Sequence, residues 1–258
     1  VEALPSSPPA IVAGVAVVGQ TVSDLASLDA PAGVIRGFDV ETGRLLWAWN
    51  AEQPDRPDPQ DAYARATPNA WGPMSGDDAR WSFQTVHHDL WDYDLAAQPV
   101  TADISVTPAL LVPTKLGQIF VLDRRTGRPI DRVEERAVPQ GGVPGERVAP
   151  TQPFTTGFPS LSGPPLSESD MWGVTPLDQL WCRIRFHEAE YRGPFTPVTT
   201  RQTIMSPGTA GGINWGSVAI DPARGLMVVN ALRFANFGKL IPRAEVTGKL
   251  FGGKEGMA

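Results

Sequence analysis

The chain has 258 residues, and 41% of them are hydrophobic, which is enough to bury a sizeable core and excludes a disordered protein. Its 26 glycines and 26 prolines interrupt long helices, so the composition argues against an all-α bundle and favours short strands joined by turns. The net charge of −6 disfavours nucleic acid as a partner, and no run of about 18 apolar residues is present that could span a membrane.

Strand-like segments occur in both halves of the chain. The apolar run from Ile11 to Gly19 predicts a buried strand. Residues 109–113 and 118–122 predict a hairpin, with Lys115 between its two strands. These segments favour a fold built from antiparallel sheets.

Two later segments have a different composition. The stretch 136–165 is rich in proline and glycine and predicts a long excursion between strands. The stretch 167–191 predicts a helix, because apolar positions in it recur at spacings of three and four residues. The side chains that this spacing places near one face are Leu177, Leu180, Ile184 and His187.

A short phrase recurs along the chain and predicts a strand, a tight turn and a returning strand. In each copy an Asp follows an apolar residue and a Gly stands four positions later, as in Asp39 and Gly43, Asp123 and Gly127, and Asp221 and Gly225. The Asp side chain can cap the turn while the Gly takes a positive φ. The first two copies are 84 positions apart, or two periods of 42, which is typical of the four-stranded blades of a β-propeller. Unrelated hairpins in another all-β fold remain the alternative.

The stretch from Gln84 to Pro99, with His-His-Asp-Leu-Trp-Asp at positions 87–92, is more particular than a generic blade. It closely resembles the active-site strand of the pyrroloquinoline-quinone (PQQ) dependent dehydrogenases, and most of all the membrane-bound glucose/quinate/shikimate type. Further phrases agree in the same order, and the likeness runs from about residue 12 to residue 243. These phrases lie at 33–39, 113–124, 138–141, 150–154, 170–173 and 239–243.

The resemblance implies an all-β fold, an eight-bladed propeller of four-stranded blades of which this chain supplies only part of the ring. We expect residues 1–258 to form one partial propeller domain. Roughly one blade of the family pattern is absent after Ser75, and blades before Val1 and after Arg243 are absent as well. The chain is therefore expected to be partial.

Two residues match the family positions that carry the chemistry. Asp92 matches the general base that removes the proton of the substrate hydroxyl, although an Asp taken alone can equally cap a turn. Lys115 matches the lysine that hydrogen-bonds the quinone oxygens and stabilises the charge developed on reduction. The alternative for Lys115 is a solvated lysine in a hairpin. Asp89, three residues before Asp92, is expected to fix the local backbone.

Three further residues match positions that hold the cofactor. Trp71 matches the tryptophan whose ring forms the floor beneath PQQ, with packing between blades as the alternative. Asn214 and Trp215 match an Asn-Trp pair beside the cofactor in quinoprotein alcohol dehydrogenases. The amide of Asn214 can donate and accept hydrogen bonds in one plane, which suits the edge of a quinone.

The family also binds a metal ion, usually Ca²⁺, beside the quinone. Such an ion takes oxygen ligands and acts as a Lewis acid, and Asp24 matches an acidic position of this kind. Leu25 stands where glucose-type members carry Asn, so the match is incomplete there. Asp94 is spaced to face the same side of an extended strand as Asp92, and Mg²⁺ or a lanthanide could replace Ca²⁺.

The resemblance implies oxidation of a sugar, a polyol or a cyclic hydroxy acid by hydride transfer to PQQ. Electrons would pass to ubiquinone on the periplasmic face of the bacterial inner membrane, with membrane association through regions outside this chain. The alternatives are a non-catalytic propeller scaffold and an inactive fragment of a quinoprotein. Cys182 is the single cysteine, so the vicinal disulfide of many quinoprotein alcohol dehydrogenases cannot form, which favours the glucose-type branch.

Overall fold

A computed structural model describes residues 3–4, 9–19, 21–22, 34–50, 81–242 and 245. These residues form mostly antiparallel strands, with a single α-helix among them, which agrees with the predicted all-β class. The chain separates into two compact units. One comprises residues 1–82 and 242–258, and the other comprises residues 83–241.

The first unit contains a four-stranded antiparallel sheet whose strands follow one another in space as they do in sequence. Such an up-and-down arrangement is the strand order of a propeller blade. Its strands are β2 (Ala10–Val12), β3 (Val15–Val18), β5 (Val34–Asp39) and β6 (Leu45–Asn50). A short ladder beside it pairs β1 (Ala3–Leu4) with β4 (Thr21–Val22).

The apolar run from Ile11 to Gly19 is a hairpin, and the prediction of one continuous strand was wrong. Ala13 and Gly14 take φ values of 50° and 80°, which reverses the chain between β2 and β3. Two residues with positive φ form the turn that suits the right-handed twist of paired strands. An apolar flank on both sides concealed this turn in the sequence.

The recurring Asp-to-Gly phrase forms the predicted turn in all three copies. After β5, the Asp39 carboxylate accepts hydrogen bonds from the Thr42 N–H at 2.8 Å and the Thr42 hydroxyl at 2.7 Å, and Gly43 has φ 69°. The same turn follows residues 123 and 221, where Oδ1 accepts backbone N–H groups and the glycine φ is 70° and 63°. In the first copy these bonds from Thr42 lower the pKa of Asp39.

The second unit is built from one three-stranded sheet and three strand pairs. The sheet consists of β7 (Val100–Ile104), β8 (Thr107–Pro113) and β9 (Ile119–Asp123). The pairs are β10 (Val133–Ala137) with β11 (Thr151–Thr155), β12 (Thr203–Met205) with β15 (Asn236–Gly238), and β13 (Val218–Asp221) with β14 (Leu226–Val229). Part of the predicted excursion 136–165 is therefore the strand β11.

The predicted helix is present but shorter than its pattern. A 3₁₀ turn covers Glu168–Asp170, and the helix α1 spans Pro176–Glu188. Thr175 caps α1, because its hydroxyl accepts the Asp178 N–H at 3.2 Å while the Asp178 carboxylate accepts the Thr175 N–H at 3.0 Å. Proline at the first helical position has its φ fixed for helix entry, so the start of α1 is encoded locally.

Two clusters of buried side chains form the core of the second unit. One lies along β8 and β9 and consists of Ala109, Leu111, Ile119, Val121, Ile213 and Val218. The other consists of Val86, Trp91, Tyr93, Leu116, Val138, Phe195 and Met205. Residues 111–122 are buried without interruption, so the turn between β8 and β9 lies inside this unit rather than at its surface.

Candidate active site

The segment 91–94 alternates between the core and an open side. Trp91 and Tyr93 are each 1% exposed, whereas the side chains of Asp92 and Asp94 are 61% and 47% exposed. Asp92 itself is not extended, since its φ is 62°, yet the two aromatic rings turn inward and the two carboxylates emerge together on the open side. The aromatic pair thereby anchors the segment that presents the two acids.

Hydrogen bonds and ring contacts hold this aromatic anchor in place. The Trp91 indole N–H donates to the carbonyl of Thr196 at 2.9 Å, and the Tyr93 hydroxyl donates to the carbonyl of Pro207 at 2.5 Å. Phe195 meets both rings edge-on, with centroid distances of 5.0 and 5.6 Å. Each buried polar atom of the two rings therefore has a partner. Burial raises the pKa of Tyr93, so its hydroxyl remains a donor.

Lys115 lies in the tight turn between β8 and β9, as the sequence predicted. The Thr114 N–H donates to the Gln118 carbonyl at 2.9 Å, and the Gly117 N–H donates back to the Thr114 carbonyl at 2.8 Å. Gly117 has φ 76°, a conformation that favours glycine. The turn is closed by its own backbone, which fixes the direction of Lys115.

The structure brings Lys115 together with Asp92 although they are 23 positions apart. The Lys115 ammonium lies 3.0 Å from Asp92 Oδ2 and also contacts Asp94 Oδ1. Lys115 is only 6% exposed, and burial on its own would lower its pKa. The hydrogen bonds to Asp94 and Asp92 outweigh that effect and raise the pKa of Lys115, so its ammonium is held in the charged form.

Two glycines allow a second strip of backbone to lie against the Lys115 turn. A Cβ on Gly211, whose φ is 72°, would lie 2.5 Å from the Lys115 Cβ and 2.7 Å from its Cα. Gly212 donates its N–H to the Lys115 carbonyl, and Ile213 donates to the Thr114 carbonyl at 3.3 Å. The segment 211–213 therefore supports the Lys115 turn from behind, and any side chain at position 211 would displace it.

Asn214 and Trp215 follow this strip of backbone, but the bonds of the Asn214 amide are local. Its Nδ2 donates to the Ala210 carbonyl at 2.7 Å, and its Oδ1 accepts the Trp215 N–H at 2.9 Å. The Trp215 ring is 79% exposed. The amide closes its own loop rather than reaching Asp92 or Lys115, while the indole presents an open aromatic face.

The remaining predicted site residues, Trp71 and Asp24, lie outside the residues that the structure describes. Within the described part, no group of three or more His, Cys, Asp or Glu side chains is placed to hold a metal ion. The residues present do fit a quinone, because a buried ammonium is a donor for a carbonyl oxygen. The exposed carboxylates of Asp92 and Asp94 are oxygen donors of the type that Ca²⁺ prefers.

Gln152, on β11, is a supporting residue to which the sequence analysis assigned no role. It is fully buried, its Oε1 accepts the His87 N–H at 2.7 Å, and its Nε2 donates to the His87 carbonyl at 2.6 Å. On β10, Glu135 lies 2.9 Å from the His87 ring. The β10–β11 hairpin thus holds the start of the segment that carries Asp92 through hydrogen bonds to His87. The place of Gln152 inside the matching phrase at 150–154 was the signal available in the sequence.

Asp89 fixes the backbone between this grip and Asp92, as expected. Its Oδ1 accepts the Trp91 N–H at 2.9 Å. The residue as a whole is exposed, but its carboxyl turns towards the backbone of the segment, where protein atoms replace part of its water. That desolvation raises the pKa of Asp89, and the neighbouring charges of Asp92 and Asp94 add to the effect.

The comparison with known families gives one match over nearly the whole chain. Residues 2–80 and 78–255 match the family described as PQQ: Glucose/ethanol/alcohol dehydrogenase, beta-propeller domain. This match confirms the predicted propeller class, and the antiparallel sheets of the described residues agree with it.

Curated relatives show the same family over part of their length. The glycerol dehydrogenase large subunit of Gluconobacter oxydans (strain 621H) is 42% identical, over 87% of this chain and 37% of its own. The quinoprotein glucose dehydrogenase of Escherichia coli (strain K12) is 39% identical, over 93% of this chain and 36% of its own length. The quinate/shikimate dehydrogenase (quinone) of Acinetobacter baylyi (strain ATCC 33305 / BD413 / ADP1) is 37% identical, over 92% of this chain and 35% of its own length. The chain thus spans a little over a third of each relative.

Solved structures resemble the chain in fold. A europium-containing methanol dehydrogenase matches with a TM-score of 0.50 and 17% identity, covering 87% of this chain and 44% of that one. The quinohemoprotein alcohol dehydrogenase from Comamonas testosteroni matches with a TM-score of 0.50 and 18% identity, covering 86% of this chain and 36% of that one. At this identity the likeness concerns the fold alone.

Proposed function

The chain belongs to the β-propeller family of the PQQ-dependent glucose, ethanol and alcohol dehydrogenases, and from that premise we propose that it oxidises an alcohol group by hydride transfer to PQQ. The substrate class is a sugar, a polyol or a cyclic hydroxy acid, in keeping with the glucose, glycerol and quinate/shikimate dehydrogenases among its relatives. The observation that carries the proposal is the buried Lys115 ammonium, 3.0 Å from the exposed Asp92 carboxylate.

Each member of this pair has one task in the proposed reaction. When bound, PQQ supplies a quinone carbonyl that accepts the hydride. Asp92 takes the hydroxyl proton of the substrate as the hydride leaves. Lys115 directs its ammonium at a quinone oxygen and stabilises the negative charge that develops there.

Asp94 completes the charge balance of the site. In the structure the Lys115 ammonium is shared between Asp92 and Asp94. A proton on Asp92 removes one of the two negative charges beside the ammonium, and the contact with Asp94 preserves the other. Lys115 therefore stays charged and fixed while Asp92 changes its protonation state.

In this proposal the cofactor and the metal ion are held by residues that come before and after the pair in the sequence. Trp71, Asn214 and Trp215 bind PQQ, and the exposed Trp215 ring supports this because a flat cofactor stacks on an open aromatic face. Asp24 binds Ca²⁺, for which Mg²⁺ or a lanthanide is the substitute. The support for Asp24 is its match to the acidic family position alone.

Electrons then pass to a quinone acceptor, ubiquinone in the proposal, on the periplasmic face of the bacterial inner membrane. The support is the word quinone in the name of the Acinetobacter baylyi relative. No helix within the described residues has the length and apolar character needed to cross a membrane. The proposal places membrane association in regions outside this chain, in keeping with the resemblance to the membrane-bound type.

Reconstitution with PQQ and Ca²⁺ tests the proposal in two steps. Binding is followed by quenching of tryptophan fluorescence, and turnover is followed by dye reduction with glucose, quinate and glycerol. We expect Asp92→Asn to retain binding and lose turnover, and Lys115→Met to weaken both. The matched control is Asp103→Asn, an exposed carboxylate at the end of β7. Binding without turnover in the native chain would indicate an inactive fragment, and no binding at all would indicate a scaffold.

A further inference from the structure

The helix α1 presents an apolar stripe to solvent. Leu177, Leu180, Trp181 and Ile184 follow the spacing of one helical face, and Trp172 extends the surface before the helix begins. Each of these five side chains is between 48% and 78% exposed. The opposite face, with Cys182 and Phe186, is the more buried one. We call the five exposed residues the α1 stripe.

A continuous surface of this kind calls for a partner. Single exposed leucines are ordinary, but a run of large apolar side chains along one helix face marks a contact surface. The α1 stripe includes two tryptophans, which are enriched at the centres of protein interfaces. What covers the stripe can be read from the charges at its edge.

Asp178 and Arg185 are seven residues apart, so they occupy the same edge of the α1 stripe, one in the first turn and one in the last. When two identical helices pair in antiparallel fashion about a two-fold axis, like edges meet and the first turn of one faces the last turn of the other. Asp178 of one copy then opposes Arg185 of the second copy, and the reverse pair forms at the other end. The edge is thus complementary to itself in the antiparallel arrangement.

The contacts that these two residues make within one copy allow this pairing. Arg185 lies over the Trp181 ring at 5.2 Å and donates to Glu188 at 2.8 Å. An exposed ion pair of this kind within a helix contributes little to stability, so Arg185 can form a second ion pair across the interface. The carboxylate of Asp178 holds the helix cap through Thr175, which fixes it at the edge of the stripe.

We propose that two copies of the chain associate through antiparallel pairing of their α1 helices. A helix of 13 residues is about 20 Å long, so the contact is smaller than a standard interface. The expected product is a weak dimer whose fraction rises with protein concentration. This inference is independent of the proposed dehydrogenase activity.

A charge exchange tests the arrangement. Sedimentation velocity over a concentration series measures the dimer dissociation constant of the native chain, D178R, R185D and the double variant D178R/R185D. Each single variant places like charges opposite each other twice, and we expect its dissociation constant to rise at least tenfold. The double variant restores both pairs and should dimerise like the native chain. Arg147→Asp, an exposed change away from α1, is the control and should have no effect.

A mixture of the two single variants gives the sharpest result. An equimolar mixture of D178R and R185D should form a heterodimer, although each variant alone remains monomeric. Circular dichroism checks that helix content is kept, because D178R touches the cap. Leu180→Glu, which leaves the cap intact, should also abolish the dimer. The proposal would be overturned if the native chain stayed monomeric at every concentration. It would also be overturned if the mixture dimerised no more than its two components do alone, or if the α1 stripe bound lipid vesicles and no dimer formed.

Discussion

The contact between Lys115 and the two carboxylates predicts a specific effect of Lys115→Met. Methionine keeps most of the buried stem, so the change removes the charge with little loss of packing. It leaves Asp92 and Asp94 facing each other without their common cation. We expect the variant to fold and to be less stable than the native chain.

The magnitude follows from the geometry. At 3.0 Å and an effective dielectric of about 20, the attraction between two unit charges is on the order of 5 kcal/mol. The carboxylates are about half exposed, so water screens them and the desolvation of Lys115 offsets much of the remainder. We expect a net loss of about 1–2 kcal/mol, or roughly 3–6 °C in Tm for a chain of this size.

The pH dependence supplies the assay. The pKa of Lys115 is raised in the folded chain, so its stabilisation is fully present below the unfolded pKa of about 10.4 and is lost as pH rises through the folded pKa. Urea unfolding should therefore show a constant difference between native and variant from pH 7 to about pH 10, and convergence above it. Lys239→Met, an exposed lysine, is the control. Equal stability at neutral pH, or a difference that does not shrink in alkali, would refute the ion pair.

Two further predictions concern the residues that support the pair. Gln152→Leu removes both hydrogen bonds to the His87 backbone and should lower the free energy of unfolding by about 2–4 kcal/mol in a urea titration. The control is the exposed change Gln98→Leu, for which we expect a loss below about 0.5 kcal/mol. An equally small loss for Gln152→Leu would show that Gln152 does not hold the His87 backbone in place. Gly211→Ala should cost clearly more than Gly14→Ala in the same titration, because both glycines have positive φ but only position 211 would place a Cβ against Lys115. The Gly14 variant should lose only about 1–2 kcal/mol, the cost of the conformation alone, and equal losses would mean that the two segments are not in contact.

The turns were the part of the fold that the sequence predicted best. Asp39 and Gly43 act within five residues, through hydrogen bonds that depend on residue type alone, so the pattern carries the structure. The Lys115 turn is equally local. The hairpin at Ala13 and Gly14 was missed because its flanks are apolar on both sides and read as one strand.

The candidate site residues were predicted through resemblance, and a supporting residue to which the resemblance gave no role was missed. No spacing rule joins Lys115 to Asp92 across 23 positions, because tertiary packing of the β8–β9 turn brings them together. The grip of Gln152 on His87 spans 65 positions and involves backbone atoms, which no side-chain pattern reveals. Periodicity found the apolar face of α1 but gave no direction for it, since an amphipathic pattern does not say which face a neighbour will cover.

Asp92 has a φ of 62°, an unusual conformation for a residue other than glycine. Its neighbours on both sides, Trp91 and Tyr93, are pinned by carbonyl partners and by the edge of Phe195, so this bend cannot relax. Asp92, the proton acceptor of the proposed reaction, is thus held by a rigid segment. If Asp92 is the base of the proposed reaction, new substrate preferences would have to evolve through other segments, because a shift of this segment would turn the Asp92 carboxylate away from the substrate hydroxyl.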